Sequence, residues 1–590
     1  MSDSQIKSFR NPIIPGFHPD PSRTALSCRE DSELEKSTAS KQAIAYAVRV
    51  SPVLYPRALS ILSRQRGARF QLGAPIHLCD KPENLTPCIR VDGVYYLVTS
   101  SFLYTPGIPV YTSKDLIHWT QIGNVITRPG QVSLAKCTIR QGTKNCGGIW
   151  APTIRYHKGT FHVVATCVFP DKEFADHTRW QNYVWSTEDP YALDAWSDGI
   201  SFYFPGYDTS LFWDEEDGDK LYVQGSLYWR VKEGIAQFQL DLQTGASLSG
   251  EPKPIWSGTG RPIPEAPHMY HKDGWYYLLV AEGGTELDHC ATIARSRSVW
   301  GPFEECPGNP IIHAASPDAY FQTIGHADIF QTGGGQWFAV ALATRDGRVN
   351  FPMGRETVLI PGQWETGAWP VFQARVETIM RISDELPDVP TRIEENILSN
   401  FIFRDSKTIW PHNLLRLRNP ELRAYEYVDG VLCLWASSQG DTLDGRFGSP
   451  TFVARRQTGI ECRTEVEMEL PRNEEIVAGV SVYLDFESRI DLVLSRRCGE
   501  LEAHVRQRAP AAVASSDASM AIVDCGALRV IGFKDRYELF GQRGGAWVLV
   551  GTGLARDVSG GFTGVVIGPF VEGPAGSDKV VVKKWRYAEE

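Results

Sequence analysis

The segment GGIWAPTIRYHKGTFHVVATCV, residues 147–168, carries the pattern that decides the fold of this chain. It begins with Trp150-Ala151-Pro152, continues as an apolar strand, and turns at Lys158-Gly159 into a second apolar strand. A glycine-containing turn between two such strands predicts a β-hairpin. The same arrangement recurs at four other turns, Asp92-Gly93, Gly218-Asp219, Asp273-Gly274 and Gly334-Gly335.

The five hairpin signals are spaced roughly 55 to 66 residues apart, which is too long for a single hairpin. This spacing suits a four-stranded propeller blade with long loops, so we predict a five-bladed β-propeller over residues 1–385. The strand before each turn would be the innermost strand of its blade. The residues that lead into these strands would therefore ring the central channel, and they include Trp150, Asp208, Glu265 and His326.

The C-terminal third follows a different pattern, in which apolar and polar residues alternate along many short strands, among them ECRTEVEMEL, VAGVSVYLDF and RIDLVLSRR. Strands of this kind over roughly 190 residues predict a β-sandwich of the concanavalin A-like type at 398–590, with a linker at 386–397. The whole chain is thus expected to be all-β. Because no acid, base and nucleophile cluster in this half, we expect it to buttress the propeller or to close its pocket.

Residues 23–87 interrupt the first repeat. Asp20-Pro21-Ser22 is the leading triplet of that repeat, yet its turn at Gly93 lies about 73 residues away, where the other repeats need about nine. Removing 23–87 joins Ser22 to Cys88 and gives HPDPS-CIRVDGVYYLV, a continuous strand and hairpin. We hypothesise that the segment is foreign to the fold, as translated non-coding sequence would be, that it lowers activity, and that its deletion restores activity. The alternative is a genuine surface insertion.

Three carboxylates in the predicted ring suggest glycoside hydrolysis, which needs one carboxylic acid and one carboxylate. Asp20 lies between two prolines that restrict its backbone, as suits a rigidly held general base. Glu265 has a longer side chain in an apolar local setting that would raise its pKa, as suits a general acid. Asp208 would be the third charge, which tunes the pKa of the acid and orients it. We expect all three at the same position of the repeat.

Several long motifs resemble those of glycoside hydrolase family 43, in particular its β-xylosidase and α-L-arabinofuranosidase members with a C-terminal sandwich. They are NPIIPGFHPDPS from Asn11, SSFLYTPGIPVYTSKDLIHW, GGIWAPTIRYHKGTFHVV, DTSLFWDEEDGDKLYV, EAPHMYHKDGWYYLLVAEGGT, GHADIF and MGRETVL. The resemblance implies inverting hydrolysis with Asp20 as general base, Asp208 as pKa modulator and Glu265 as general acid. Inversion would place the base and acid carboxyls roughly 6.5 to 9.5 Å apart.

The resemblance also implies a set of substrate contacts. Phe102 and Trp150 would line the subsite for the terminal sugar, Arg355 would bind its hydroxyls, and His326 would lie on the axis near a water or a calcium ion. We therefore expect removal of terminal xylose or arabinose from short xylo-oligosaccharides, with no required cofactor and a structural calcium ion as an open alternative. An α-L-arabinofuranosidase on the same scaffold and a non-catalytic sugar-binding propeller are the alternative functions. Ala266 departs from the family, where glycine is common.

The composition limits the classes of molecule that this protein is expected to bind. A net charge of −10, with no long basic run outside Arg64 to Arg69, argues against a nucleic-acid partner. No stretch approaches the roughly 18 apolar residues of a membrane span, and the first ten residues lack a signal-peptide core. A small oligosaccharide is the expected partner and the cytoplasm the expected location, with secretion as the alternative and a homo-oligomer left open. The 12 cysteines lack zinc-site spacing and are expected to be buried thiols.

Overall fold

A computed structural model describes residues 8–24, 90–91, 93–140, 145–228, 230, 232–345, 351–373, 375–381, 394–404, 407–509 and 520–589. Within these ranges the chain forms strands and four short 3₁₀ helices, His177–Arg179, Ile397–Asn400, Leu422–Ala424 and Ala555–Val558. None of the described helices is long and apolar enough to cross a membrane. The predicted all-β class is confirmed. Most of the predicted insertion at 23–87 lies outside the described residues.

Five antiparallel sheets form the predicted propeller, and the first strands of neighbouring blades contact one another around its axis. Blade 1 contains Ser22–Thr24, Val94–Val98, Gly107–Ser113 and Thr120–Ile126, with Arg90–Val91 beside Val94–Val98. Blade 2 contains Gly148–His157, Thr160–Val168, Trp180–Thr187 and Ile200–Phe202. Blade 3 contains Gly206–Asp214, Lys220–Leu227, Ile235–Gln239 and Lys253–Trp256. Blade 4 contains Glu265–Lys272, Trp275–Glu282, Cys290–Ser296, Glu304–Glu305 and Ile312–His313. Blade 5 contains Phe321–Gln331, Trp337–Arg345, Arg355–Gln363 and Val371–Phe372.

The N-terminal segment closes the ring against blade 5. Ser8–Arg10 pairs with Ile379–Arg381, and the Asn11 side chain exchanges hydrogen bonds of 3.0 and 2.9 Å with the backbone of Leu359. The backbone N–H of His18 then donates to the carbonyl of Arg355 at 3.0 Å. This closure brings the loop that precedes blade 1 directly against the strand that begins with Arg355.

The pairing within blade 1 shows where the surplus sequence enters. Thr24 pairs with Tyr96, and the next residue along that partner strand, Tyr95, pairs with Arg90. Residues 25–89 therefore enter at a single step of the ladder. Joining Ser22 to Cys88 would keep this register, because the two residues that follow the junction would take the positions of residues 23 and 24. The register is consistent with the foreign-segment hypothesis, which remains a prediction.

The innermost strands of blades 2 to 5 share a β-bulge at the axis, located between Trp150 and Thr153, Tyr207 and Ser210, Glu265 and His268, and Gly325 and Asp328. The first residue inside each bulge has a positive φ, and Asp20 has the same conformation in blade 1: Asp20 56°, Ala151 35°, Asp208 52°, Ala266 52° and His326 47°. A bulge of this kind redirects a side chain without ending the sheet.

The bulges correct one sequence prediction. Glu265 does not share the repeat position of Asp20 and Asp208, because Ala266 occupies it. Glu265 lies one residue earlier, in line with Trp150 and Tyr207 of the two preceding blades.

The C-terminal domain is a sandwich of two antiparallel sheets, as predicted. One sheet contains Tyr425–Val428, Val431–Leu434, Val580–Glu589, Cys462–Glu469, Ala527–Gly532, Arg536–Arg543, Ala546–Leu554 and Glu394–Asn396. The other contains Thr451–Phe452, Val566–Glu572, Val477–Asp485, Ser488–Arg497, Glu500–Arg508, Met520–Val523 and Arg455–Arg456. Short pairs outside the sheets are Ile139–Arg140 with Asn145–Cys146 and Ile402–Arg404 with Lys407–Ile409.

The predicted linker at 386–397 needs a correction at its C-terminal end. Glu394–Asn396 pairs with the strand Val580–Glu589, so these residues already belong to the sandwich. The remainder of the predicted linker, through residue 393, lies outside the described residues.

Propeller and sandwich meet along a seam that we define by the pairing of Tyr104–Thr105 with Arg416–Leu417. One apolar core crosses this seam, and its buried members from the two domains include Phe17, Phe102, Tyr104, Leu415, Phe452 and Phe570. The backbone N–H of Arg418 donates to the carbonyl of Leu103 at 2.7 Å. The sandwich is therefore fixed against the propeller loops nearest to Asp20 and Phe102.

Candidate active site

Asp20 is a buried carboxylate held from three directions, with only 4% of its surface exposed. Ser100 donates to Oδ2 at 2.6 Å, Arg355 donates from Nη1 to Oδ1 at 3.1 Å, and His326 Nδ1 lies 3.4 Å from Oδ1. Burial raises the pKa of Asp20, but the charge of Arg355, with His326 and the Ser100 hydrogen bond, outweighs burial and lowers that pKa below its usual value. Asp20 is therefore ionised at neutral pH, as a general base must be.

Glu265 has the opposite preference. It is 7% exposed, and the Tyr207 hydroxyl donates to its Oε2 at 3.3 Å. Burial and the negative charge of Asp20 raise the pKa of Glu265 to about 7, although Arg355 and the Tyr207 hydrogen bond act in the other direction. A carboxyl with this pKa holds a proton in a substantial fraction of molecules at neutral pH, as a general acid needs.

Asp208 joins the other two carboxylates electrostatically. It accepts a hydrogen bond from the backbone N–H of Ala266, the residue after Glu265. Burial, then the charges of Glu265 and Asp20, raise the pKa of Asp208 well above its usual value. Two neighbouring buried carboxyls resist simultaneous ionisation, so Asp208 and Glu265 share a proton near neutrality. The three predicted carboxylates thus belong to one site, and their individual roles remain predictions.

Phe102 and Trp150 lie side by side, with ring centroids 6.3 Å apart. The backbones of Phe102 and Ile149 exchange two hydrogen bonds of 2.9 Å, which hold the two rings together. The buried Nε1 of Trp150 has no hydrogen-bond partner among the described residues. Because buried donors are normally satisfied, this N–H is available to a sugar hydroxyl. The pair fits the predicted sugar subsite.

The sandwich contributes a residue that sequence reasoning missed. The ring of Phe562 lies 6.2 Å from that of Trp150 and 5.1 Å from the guanidinium carbon of Arg355, and its carbonyl accepts from Arg355 Nε at 3.1 Å. The surrounding sequence GGFTG carries no signal of a site. Of the two expected roles of the sandwich, closing the pocket is therefore the one that this contact supports.

Two other site residues could have been found by extending the motifs. Tyr207 directly precedes Asp208, and Ser100 opens the motif that contains Phe102. Each binds a carboxylate, Tyr207 at Glu265 and Ser100 at Asp20.

Arg355 and His326 lie against Asp20. The resemblance predicts that Arg355 binds sugar hydroxyls, and in the structure its Nη1 and Nη2 donate to Asp20 at 3.1 and 3.5 Å while its Nε donates to the Phe562 carbonyl. Burial lowers the pKa of His326, so its imidazole is neutral at pH 7. The described residues contain no group of three or more His, Cys, Asp or Glu that could hold a metal ion. The side chains near His326 thus do not fit a protein-held metal site, and we assign no step to a metal.

Comparisons with known proteins identify the family. The model of glycosyl hydrolases family 43 matches residues 83–370, and that of the beta xylosidase C-terminal concanavalin A-like domain matches 405–587. A Bacteroides ovatus protein named non-reducing end alpha-L-arabinofuranosidase is 31% identical over 502 residues, covering 82% of this chain and 88% of that protein. The chain belongs to glycoside hydrolase family 43.

Other family 43 proteins are similar over most of their length. A Bacillus subtilis beta-xylosidase is 32% identical over 417 residues, covering 67% of this chain and 74% of that protein. A solved structure from the B. ovatus xyloglucan utilisation locus superposes with a TM-score of 0.76 at 26% identity and covers 99% of this chain and all of its own. A xylan beta-1,4-xylosidase from Bacillus halodurans superposes with a TM-score of 0.75 at 25% identity, covering 98% and 100%.

The two pKa shifts predict a bell-shaped pH profile for kcat/KM. With Asp20 as the predicted base and Glu265 as the predicted acid, activity would require ionised Asp20 and protonated Glu265, so the rate should fall as pH rises through the Glu265 pKa of about 7. The Tyr207 hydrogen bond lowers that pKa, so Tyr207→Phe should raise it and move the alkaline limb to higher pH. The profile is measured with a nitrophenyl glycoside across pH 4 to about 10. An alkaline limb that stays in place would show that Glu265 does not set it.

Proposed function

We propose that this family 43 enzyme removes terminal xylose or arabinose from short xylo-oligosaccharides in a single inverting step. The observation that supports this is the opposite protonation preference of two buried carboxyls in one site, since the pKa of Asp20 is lowered and that of Glu265 is raised to about 7. Asp20 takes a proton from a water molecule while the oxygen of that water bonds to the anomeric carbon. Glu265 gives its proton to the glycosidic oxygen as the bond to that carbon breaks.

The aromatic walls favour action at a chain end. Phe102, Trp150 and Phe562 surround the predicted sugar subsite, and Phe562 reaches it from the other domain. A pocket walled on these sides accommodates one terminal unit more readily than the middle of a polymer.

A series of aromatic rings leads outward from the acid. Tyr207, which binds Glu265, lies 5.4 Å from Trp180, Trp180 lies 4.7 Å from Tyr228, and Tyr228 stacks on Phe174 at 5.4 Å. Phe174 at the end of the series is 40% exposed. Since the acid protonates the leaving group, the exposed outer end of this series at Phe174 offers a stacking surface to the next sugar of an oligosaccharide.

The second candidate is an α-L-arabinofuranosidase, because relatives are named for either activity or for both. Turnover of 4-nitrophenyl β-D-xylopyranoside and α-L-arabinofuranoside by the same preparation separates the two. Proton NMR during the first minutes of 4-nitrophenyl β-D-xylopyranoside hydrolysis tests the mechanism, because its leaving group has no anomeric carbon, and we expect α-xylose as the first sugar product. Initial release of β-xylose would contradict a single inverting step, and turnover of neither glycoside would favour the sugar-binding alternative.

Phe562→Ala should lower kcat/KM on xylobiose by roughly tenfold, which corresponds to about 1.4 kcal/mol of lost contact with the bound sugar. The reason is that the substitution removes the wall that the sandwich supplies beside Trp150. Phe447→Ala is the matched control, because Phe447 is an exposed phenylalanine of the same domain. Steady-state kinetics on both variants checks the prediction, and an equal effect of the two substitutions would contradict it.

The proposed chemistry uses side chains alone, so EDTA treatment followed by gel filtration should leave kcat within about twofold of the untreated enzyme. The measurement is xylosidase activity before treatment, after treatment, and after addition of CaCl₂. A loss that calcium restores would instead support the structural calcium ion near His326.

A further inference from the structure

A second cleft lies behind the loop that carries Asp20, between the propeller and the sandwich. Its volume is about 220 Å³, and its polar lining includes His18, Tyr111, Gln121, Arg455 and Arg456. None of the residues that line it is Asp or Glu. None of Asp20, Asp208, Glu265, Phe102 and Trp150 lines this cleft.

Arg456 is a buried cation without a carboxylate partner among the described residues. It is 4% exposed, and its Nε donates to the carbonyl of Phe17 at 2.7 Å. Its buried Nη2 has no hydrogen-bond partner in the described part of the chain. Burial lowers the pKa of Arg456, and the groups that oppose this effect are the phenols of Tyr111 and Tyr104 rather than a carboxylate.

Two neighbouring arginines, unlike Arg456, each have a carboxylate partner among the described residues. Arg455 pairs with Glu395, and Arg345 pairs with Glu356. A buried guanidinium is costly unless an anion and hydrogen-bond acceptors compensate it. Arg456 alone of these three lacks that compensation within the described residues.

The other polar groups of the cleft do not supply the missing negative charge. His18 Nδ1 lies 3.0 Å from the carbonyl of Pro15, which can only accept, so Nδ1 carries the proton. His18 Nε2 then accepts from the Tyr111 hydroxyl at 2.6 Å. Burial and the charge of Arg456 lower the pKa of His18, which is therefore neutral. Among the described residues, the cleft thus combines one cation that lacks an anionic partner with neutral donors and acceptors.

We propose that this cleft binds a small oxyanion of the phosphate or sulfate class through the guanidinium of Arg456. A guanidinium presents paired N–H groups that match two oxygens of such an anion. The ligand could be free inorganic phosphate or the phosphate group of a sugar phosphate, which share this chemistry. Arg456 holds the carbonyl of Phe17, three residues before Asp20, so the bound anion would steady the loop of the proposed base.

The test is the melting temperature of the full chain titrated with potassium phosphate, with KCl added to keep the ionic strength constant. We expect a saturable increase for the wild type, because a ligand that binds only the folded state raises its stability. Arg456→Met should abolish the increase. Arg416→Met is the matched control, since Arg416 is another seam arginine without a carboxylate partner among the described residues and does not line the cleft.

Parallel titrations with glucose 1-phosphate distinguish a sugar phosphate from free phosphate as the tighter ligand. Should Arg456→Met fail to fold, two other measurements replace it. The ³¹P line of phosphate should broaden when wild-type protein is added. Arg456→Lys should bind phosphate more weakly than the wild type. The proposal is overturned by a phosphate effect no larger than that of KCl, by an equal response of the Met variant, or by an unbroadened ³¹P line. Because the readout is stability, these outcomes are independent of glycosidase activity.

Discussion

Glu265→Gln is expected to lower kcat on xylobiose by about 10³-fold while leaving the binding of the sugar nearly unchanged, because general acid catalysis typically contributes 10²–10⁴-fold. The glutamine has almost the same shape and can still accept from the Tyr207 hydroxyl, but it has no proton to give to a leaving sugar. A pocket that only binds sugars would show no turnover to lose.

The leaving group supplies the control for this prediction. A dinitrophenolate leaves without protonation, so the same variant should lose much less activity on 2,4-dinitrophenyl β-D-xylopyranoside. Asp20→Asn should lose activity on both substrates equally, since both need the water to be activated. Steady-state kinetics with the two substrates gives a two-by-two comparison. Equal losses of Glu265→Gln on both substrates would remove Glu265 from the role of general acid.

Deletion of residues 23–87 is expected to raise kcat/KM by at least about tenfold, because a misplacement of roughly 1 Å in a catalytic group can cost about a hundredfold. The segment begins three residues after the proposed base and enters at one step of the blade 1 ladder, between the partners of Tyr96 and Tyr95. The junction of Ser22 with Cys88 retains the register of that ladder, so Asp20 would be held by an uninterrupted strand.

Two other deletions, which differ in whether they preserve the register of the blade 1 strand, serve as matched controls for this prediction. Deletion of 25–89 joins Thr24 to Arg90 and retains the same pairing, so it should perform like the first deletion. Deletion of 23–88 removes one residue more and shifts the register by one, which exchanges the two faces of the strand. That variant should not gain activity. Full activity of the undeleted chain, equal to that of the first deletion, would show that the segment is a harmless insertion.

Much of this architecture could be predicted from the sequence because it depends on local signals. The five glycine-containing turns each join two strands, and turn chemistry depends on a few neighbouring residues. Asp20, Asp208 and Glu265 could be singled out for the same reason, since each lies at the start of such a strand. The position of Glu265 one residue before its expected place could not, because a bulge with two residues opposite one shifts the register without a change in the sequence pattern.

The remaining errors and omissions concern contacts between distant parts of the chain. Phe562 lies far from the propeller motifs in sequence, and only the packing of the two domains brings it beside Trp150. The sequence places Glu394–Asn396 in the linker, because no local signal marks these residues as a strand. Their partner strand lies almost two hundred residues later, at the C-terminus. Arg456 gave no signal either, because an arginine is unusual only when its burial and its partners are known.

The apolar core that crosses the seam makes the two halves of the chain thermodynamically inseparable. The propeller residues Phe17 and Phe102 share one core cluster with the sandwich residues Phe452 and Phe570. Neither domain therefore keeps a complete apolar interior when the other is absent. Recombination that exchanged the C-terminal half for an unrelated module would expose that surface to water and remove a wall of the pocket in the same event. We therefore expect a chain cut between the two domains to lose stability in both halves.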